Sequence, residues 1–164
     1  SFKIEGRKRA PEYVAKAVSA YRQAIDLYFE GKLTTEKKKE LLIELEKVYN
    51  RGFSSGFYFN VPSSEEYAGV EGSKATTRKS YVGKVLNYFK EIEIAHILIE
   101  SGQIKTNDVL LIMGETTGVL EFNLEKIIVN DKEDQTAKRG DEVTFKTPSL
   151  VRRNDRVYLI EQVV

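Results

Sequence analysis

The chain has 164 residues, 41% of them apolar and 31% charged, with a net charge of +1, a balance that fits one domain or two small units and excludes a wholly disordered chain. It contains no cysteine, which rules out disulfides, thiol catalysis and cysteine-ligated iron–sulfur clusters within it. No apolar run approaches the roughly 18 residues of a membrane span and no secretory signal is visible, so a cytoplasmic location without a membrane partner is expected.

The chain opens on Ser1 rather than methionine, in sequence that already looks structured, and reads as the C-terminal piece of a longer protein. Ile4-Glu5-Gly6-Arg7 matches a cleavage site used to remove affinity tags, but Lys8, Arg9 and Pro11-Glu12-Tyr13 run straight on into a helix. Pro11 suits a first helical turn, and Glu12 complements the positive end of the helix dipole. Val14, Ala17, Val18, Tyr21, Ala24, Ile25 and Tyr28 then recur at three- and four-residue steps, predicting an apolar stripe on a helix that stops near Gly31. Thr34 or Thr35 caps a second helix with Leu41, Leu42, Leu45, Val48 and Tyr49 on its apolar face. The short link makes a helical hairpin, too small to bury both stripes, so one stripe meets a third element.

Asn50-Arg51-Gly52-Phe53-Ser54-Ser55-Gly56-Phe57 is a junction where glycines let the chain stop, turn and present aromatic side chains. Residues 60–80 read as a mobile linker. From Tyr81 the period becomes two, with strands expected at Tyr81–Tyr88, Ile92–Ile99, Val109–Met113, Val119–Val129, Glu142–Thr147 and Val157–Val163. Lys105-Thr106-Asn107-Asp108, Lys138-Arg139-Gly140-Asp141 and Arg152-Arg153-Asn154-Asp155 share one pattern: basic, any, Gly or Asn, Asp. Gly and Asn tolerate positive φ and Asp bonds back to nearby amides, so each copy predicts a tight turn feeding a strand. The fold expected is α+β, an N-terminal helical hairpin followed by a small, mostly antiparallel β-barrel similar to the second domain of translation elongation factor Tu. The divisions expected are 1–50, 51–80 and 81–164.

Gly52-Phe53-Ser54-Ser55-Gly56 fits the Gly-x-Ser-x-Gly pattern of a serine hydrolase, but that mechanism needs a strand before the serine, a helix after it, and an acid and a histidine. Here a helix precedes, and the single histidine, His96, sits in a predicted strand as a structural residue. Asp131, Glu133 and Asp134 lack the glycine and closing glutamate of a calcium loop and read as a solvated tip. Arg7, Lys8, Arg9, Arg51, Arg78 and Lys79 could hold phosphates if they converge, with Phe53, Phe57 and Tyr58 available for stacking. The rival reading makes Arg51 a cap of the second helix and the aromatics a cement between helix and barrel.

Three landmarks stand in order: Lys3-Ile4-Glu5-Gly6-Arg7 with Pro11-Glu12-Tyr13-Val14-Ala15, the 50–57 junction, and Tyr81-Val82-Gly83-Lys84-Val85. Together they resemble the collagenase-like peptidase family U-32, spanning the end of its core and its C-terminal barrel. The resemblance implies a parent with an upstream core domain as partner, either proteolytic or hydroxylating transfer RNA, ribosomal RNA or a quinone precursor, with an iron–sulfur cluster held by core cysteines that this chain lacks. It implies that Lys3, Glu5 and Arg7 lie on the last core strand, running into the site, and that the first helix packs on the core. Asn60–Ser80 and Asn130–Lys138 depart from the family and look like loops peculiar to this chain. The function expected is a non-catalytic module that positions substrate or partner through Lys3, Glu5, Arg7, Arg51, Phe53 and Phe57, with no catalytic, metal or cofactor residues of its own. Its rivals are an RNA-binding module and a self-contained serine-type peptidase.

Overall fold

The computed structural model describes residues 2–59 and 72–163. It divides into two compact units, Ser1–Arg78 with Gln162–Val164, and Lys79–Glu161. Most of the expected 60–80 linker lies outside the described residues, and its last residues already belong to a strand.

The first unit is built on α1 (Pro11–Phe29) and α2 (Thr35–Glu46). Pro11 opens α1 as expected. Gly31, at φ 69°, closes it: its amide donates to Tyr28 O (3.1 Å) and that of Lys32 to Leu27 O (2.8 Å), so two end carbonyls are satisfied by one left-handed residue. Thr34 Oγ1 accepts the Lys37 amide at 3.2 Å and caps α2. The helices meet through small residues, Ala17 and Ala20 being buried, and through Lys16, which pairs with Glu44 at 3.0 Å. Burial pushes the Glu44 carboxyl up, but Lys47 and Lys16 outweigh it and hold it below the ordinary range. The α1 stripe is split rather than buried as one: Val18, Tyr21, Tyr28 and Phe29 stay exposed, as do Leu42 and Ile43 of α2. Because α2 ends at Glu46, Val48 and Tyr49 lie beyond it rather than on its apolar face.

The second unit carries most of the strands: β1 (Thr77–Phe89, which begins in the first unit), β2 (Ile94–Ile99), β3 (Gln103–Lys105), β4 (Val109–Gly114), β5 (Gly118–Asn123), β6 (Ile127–Val129), β7 (Lys132–Asp134), β8 (Thr136–Lys138), β9 (Glu142–Lys146) and β10 (Arg156–Gln162). The α+β class and the largely antiparallel pairing are as expected. Closure into a barrel is not found: the main sheet runs β5-β4-β10-β1-β2-β9-β6-β7, and β3 pairs with β8 apart from it. The terminal strand β7 is Lys132-Glu133-Asp134, exposed throughout, and such charge protects an open edge as closure would. Asn130–Lys138, expected as a loop, contains β7 and β8 and turns through Asn130 and Asp131 at positive φ.

Alternation places Ala95, Ile97 and Ile99 of β2 in one core with Val143 and Phe145 of β9, Val82 and Val85 of β1, Leu110 and Ile112 of β4, and Val157 of β10. The three repeated turns share one geometry. Asn107, Gly140 and Asn154 have φ of 71°, 95° and 70°. In each, the Asp carboxylate accepts the amide of the basic residue three positions back: Lys105 to Asp108 (2.8 Å), Lys138 to Asp141 (2.8 Å) and Arg152 to Asp155 (2.7 Å). The residues just before the turns, Ile104, Ala137 and Val151, are all buried, so each turn delivers a core side chain on its incoming side.

Candidate functional site

In the first unit the segment before α1 and the segment after α2 face one another across a cleft of about 770 Å³. Lys3, Glu5, Arg7, Lys8 and Arg9 line one side, and Tyr49, Asn50, Arg51 and Phe53 the other, with Tyr13 and Tyr21 of α1 at its floor. Five cations therefore share the cleft with one carboxylate, that of Glu5, which is exposed and accepts the Arg7 amide at 3.0 Å.

Asn50 fixes the far wall. Its side-chain amide donates to Glu46 O (3.1 Å) and Val48 O (3.0 Å), its Oδ1 accepts the Gly52 amide (3.1 Å), and its carbonyl accepts the Lys74 amide (2.8 Å). The end of α2 is thus capped by Asn50, and Arg51 is released from that role. Its Nε donates instead to Tyr49 Oη at 3.0 Å, while the Arg9 guanidinium lies over the Tyr49 ring, 3.6 Å from its centroid. The Arg51 hydrogen bond, reinforced by Arg9, pulls the Tyr49 phenol below its ordinary range. Tyr49 is the residue that sequence reasoning missed, because at helical spacing an aromatic beside Val48 looks like one more apolar contact.

Of the six expected site residues, Lys3, Glu5, Arg7, Arg51 and Phe53 come together in the cleft. Phe57 does not line it and is 77% exposed, beside the edge-to-face pair of Tyr58 and Phe59. Lys79 is held elsewhere, with its ammonium 5.0 Å from the Tyr158 ring. Ser54 Oγ accepts the Gly56 amide at 3.3 Å, as in a turn, and Gly52 and Gly56 take the positive φ expected of the junction. His96 Nε2 is 2.7 Å from Glu142 Oε2 on the neighbouring strand. Among the described residues no group of three or more His, Cys, Asp or Glu could hold a metal ion. With no cysteine in the sequence, these residues do not fit the iron–sulfur cluster implied above. No helix of the described residues is long and apolar enough to cross a membrane.

Residues 1–68, which include the whole cleft, match the model of peptidase family U32. A protease of Methanocaldococcus jannaschii is 38% identical over 167 residues, covering all of this chain and 40% of its own. Over residues 1–68 the sequence is that of peptidase family U32. A collagenase of Porphyromonas gingivalis is 35% identical over 98% of this chain and 39% of its own. A Bacillus subtilis protein named tRNA hydroxylation protein P1 is 40% identical over 94 residues, 57% of this chain and 22% of its own. The chain thus spans about two-fifths of the length of the first two U32 relatives.

Proposed function

We propose that this chain is a non-catalytic, C-terminal module of a longer, cytoplasmic U32 protein, where it positions a substrate or partner for chemistry performed upstream. In this reading residues 1–50 continue the parent's core domain, and the second unit, after the junction, is carried as a separate body. The observation that carries the reading is the unburied apolar face of the helical hairpin. Tyr28 is 67% exposed, Phe29 82% and Ile43 54%, in a chain that spans only two-fifths of its relatives. Side chains of this size left in water forfeit about 1.5–3 kcal/mol each of available burial, and the remainder of the parent is the surface that supplies it.

The reading is supported chemically by how the candidate groups are engaged. His96 is paired with Glu142 on the neighbouring strand and Ser54 accepts a backbone amide within its own turn, each engaged within its own unit. The test is hydrolysis of denatured collagen by this chain and by its Ser54→Ala variant. Equal, background-level cleavage is expected, and cleavage abolished by Ser54→Ala would establish the serine peptidase instead. The basic cleft and the relative named for tRNA hydroxylation favour RNA as the substrate so positioned.

A further inference from the structure

We propose that the cleft between the leading segment and the end of α2 binds the phosphodiester backbone of a single-stranded RNA, with Arg9, Tyr49 and Arg51 as a preformed clamp. This rests on the reading of the chain as a positioning module and assigns the ligand and the residues of that function.

Several cations of the first unit are ion-paired while others, Lys38 and Lys39 of α2 among them, are not; what marks the cleft is that five unpaired cations gather in one place. Lys16, Arg22, Lys32, Lys37 and Lys47 each have a carboxylate within ion-pair distance. None of the five cleft cations, Lys3, Arg7, Lys8, Arg9 and Arg51, has such a partner among the described residues. Like charges gathered without counter-charges repel, and the chain keeps them together by folding two separate segments onto one cleft, so an anionic ligand is the missing component. Two of the five are already oriented: Arg51 by the Tyr49 hydroxyl and Arg9 by its ring. A guanidinium held on a phenol keeps most of its N–H groups free for phosphate oxygens. A carboxylate in the place of Tyr49 would have neutralised both.

The choice of ligand follows from what lies between the charges. Tyr13 and Phe53 line the same cleft, beside Tyr49, whose ring holds Arg9, and Tyr21, which packs against Phe2. Aromatic rings among phosphate-binding cations suit a strand whose bases are unstacked and free to lie on them, whereas a duplex presents only phosphates and groove edges. An acidic peptide would satisfy the cations but leave the rings without stacking partners.

The experiment is fluorescence anisotropy of a labelled twelve-residue oligouridylate against the whole chain at several salt concentrations. An Arg7→Gln/Arg51→Gln double variant is compared with a Lys32→Gln/Lys39→Gln control at exposed positions that do not line the cleft. The cleft variant is expected to bind at least tenfold more weakly and to lose about 1.4 from the slope of log K against log salt, since each single-strand phosphate contact contributes roughly 0.7. The control is expected to change less than twofold. Tyr49→Phe, which keeps the ring but frees Arg51, is expected to weaken binding several-fold with the fold unchanged by circular dichroism. Absent binding, equal losses in cleft and control variants, or equally effective competition by a polyglutamate peptide of the same charge would each overturn the proposal. The denatured-collagen assay is indifferent to these outcomes, so the positioning function and its RNA ligand can fail separately.

Discussion

The three repeated turns form a natural mutational series, because the same aspartate makes the same backbone bond in three settings. Asp155 is 6% exposed. Its Oδ2 accepts the Arg152 amide at 2.7 Å and the Thr117 hydroxyl at 2.5 Å, while its own carbonyl accepts the Val85 amide at 2.9 Å, binding the turn to β1. Asp155→Ala leaves two part-buried donors, the Arg152 amide and the Thr117 hydroxyl, without their acceptor, a loss of roughly 2–3 kcal/mol. Asp108, half-buried and with a carboxylate that holds only the Lys105 amide, is expected to cost about 1 kcal/mol on the same change. Asp141→Ala also breaks two bonds, from Lys138 N and Asn130 Nδ2, but at the surface, where water takes over both donors, so its cost falls well below that of Asp155→Ala. Asp155→Asn keeps one acceptor and falls between. Urea unfolding followed by far-ultraviolet circular dichroism reads the series. At an m-value of about 1.5–2 kcal/mol per molar, a loss of roughly 2–3 kcal/mol lowers the Asp155→Ala midpoint by about 1–2 M with m unchanged. If Asp155→Ala moves it no further than Asp108→Ala, burial does not set the strength of these turns and the argument fails.

Other expectations follow from single contacts. A Cβ at Gly83 would lie 2.0 Å from Leu98 O, a backbone atom that cannot swing aside, so Gly83→Ala is expected to cost at least about 2–3 kcal/mol in the same unfolding assay; a neutral result would mean that β1 and β2 can separate there. The hydrogen bond to Glu100 is the main reason the Tyr81 phenol is pushed up to about 12. A raised folded-state value stabilises fully below the ordinary tyrosine range near 10 and is lost as pH climbs from there towards 12. Ultraviolet titration of Glu100→Gln should return Tyr81 towards 10, and an unchanged curve would refute the assignment. The Glu44 carboxyl is depressed, so the opposite sign holds: its contribution is present above the ordinary glutamate range and fades as pH falls below it. Lys16→Met and Lys47→Met should flatten that acid limb of stability. Thr34→Ala, which removes the α2 cap, should cost about 1 kcal/mol by thermal unfolding.

What could be read from the sequence was whatever a short run of residues decides for itself. The capped helices, the left-handed stop at Gly31 and the three Asp turns each depend on neighbours within about four positions, and each appears where local chemistry puts it. Sheet closure depends on whether the first and last strands find each other, and no local pattern encodes that. In the structure the sheet stays open, with the exposed β7 at one end. Short strands were also missed: β3 and β8 are three residues each, and the run 119–129 breaks at Leu124, which turns its side chain into the core while its amide bonds back to Asp108.

The cleft was half legible for a related reason. Its charges could be counted along the chain, but their convergence depends on Asn50, which spends both ends of its side chain and its carbonyl on the backbone around it. That frees Arg51 from capping duty and turns it to Tyr49, which in turn holds Arg9 from a segment forty residues earlier in the chain. Asn50→Ala is therefore expected to act at a distance. It removes no cation and no ring from the cleft, yet by loosening the far wall it should weaken oligouridylate binding several-fold while leaving the salt slope near that of the parent chain, because the count of phosphate contacts is preserved. A variant that instead lost slope in proportion to affinity would show that Asn50 itself meets the phosphates, and that the wall needs no such support.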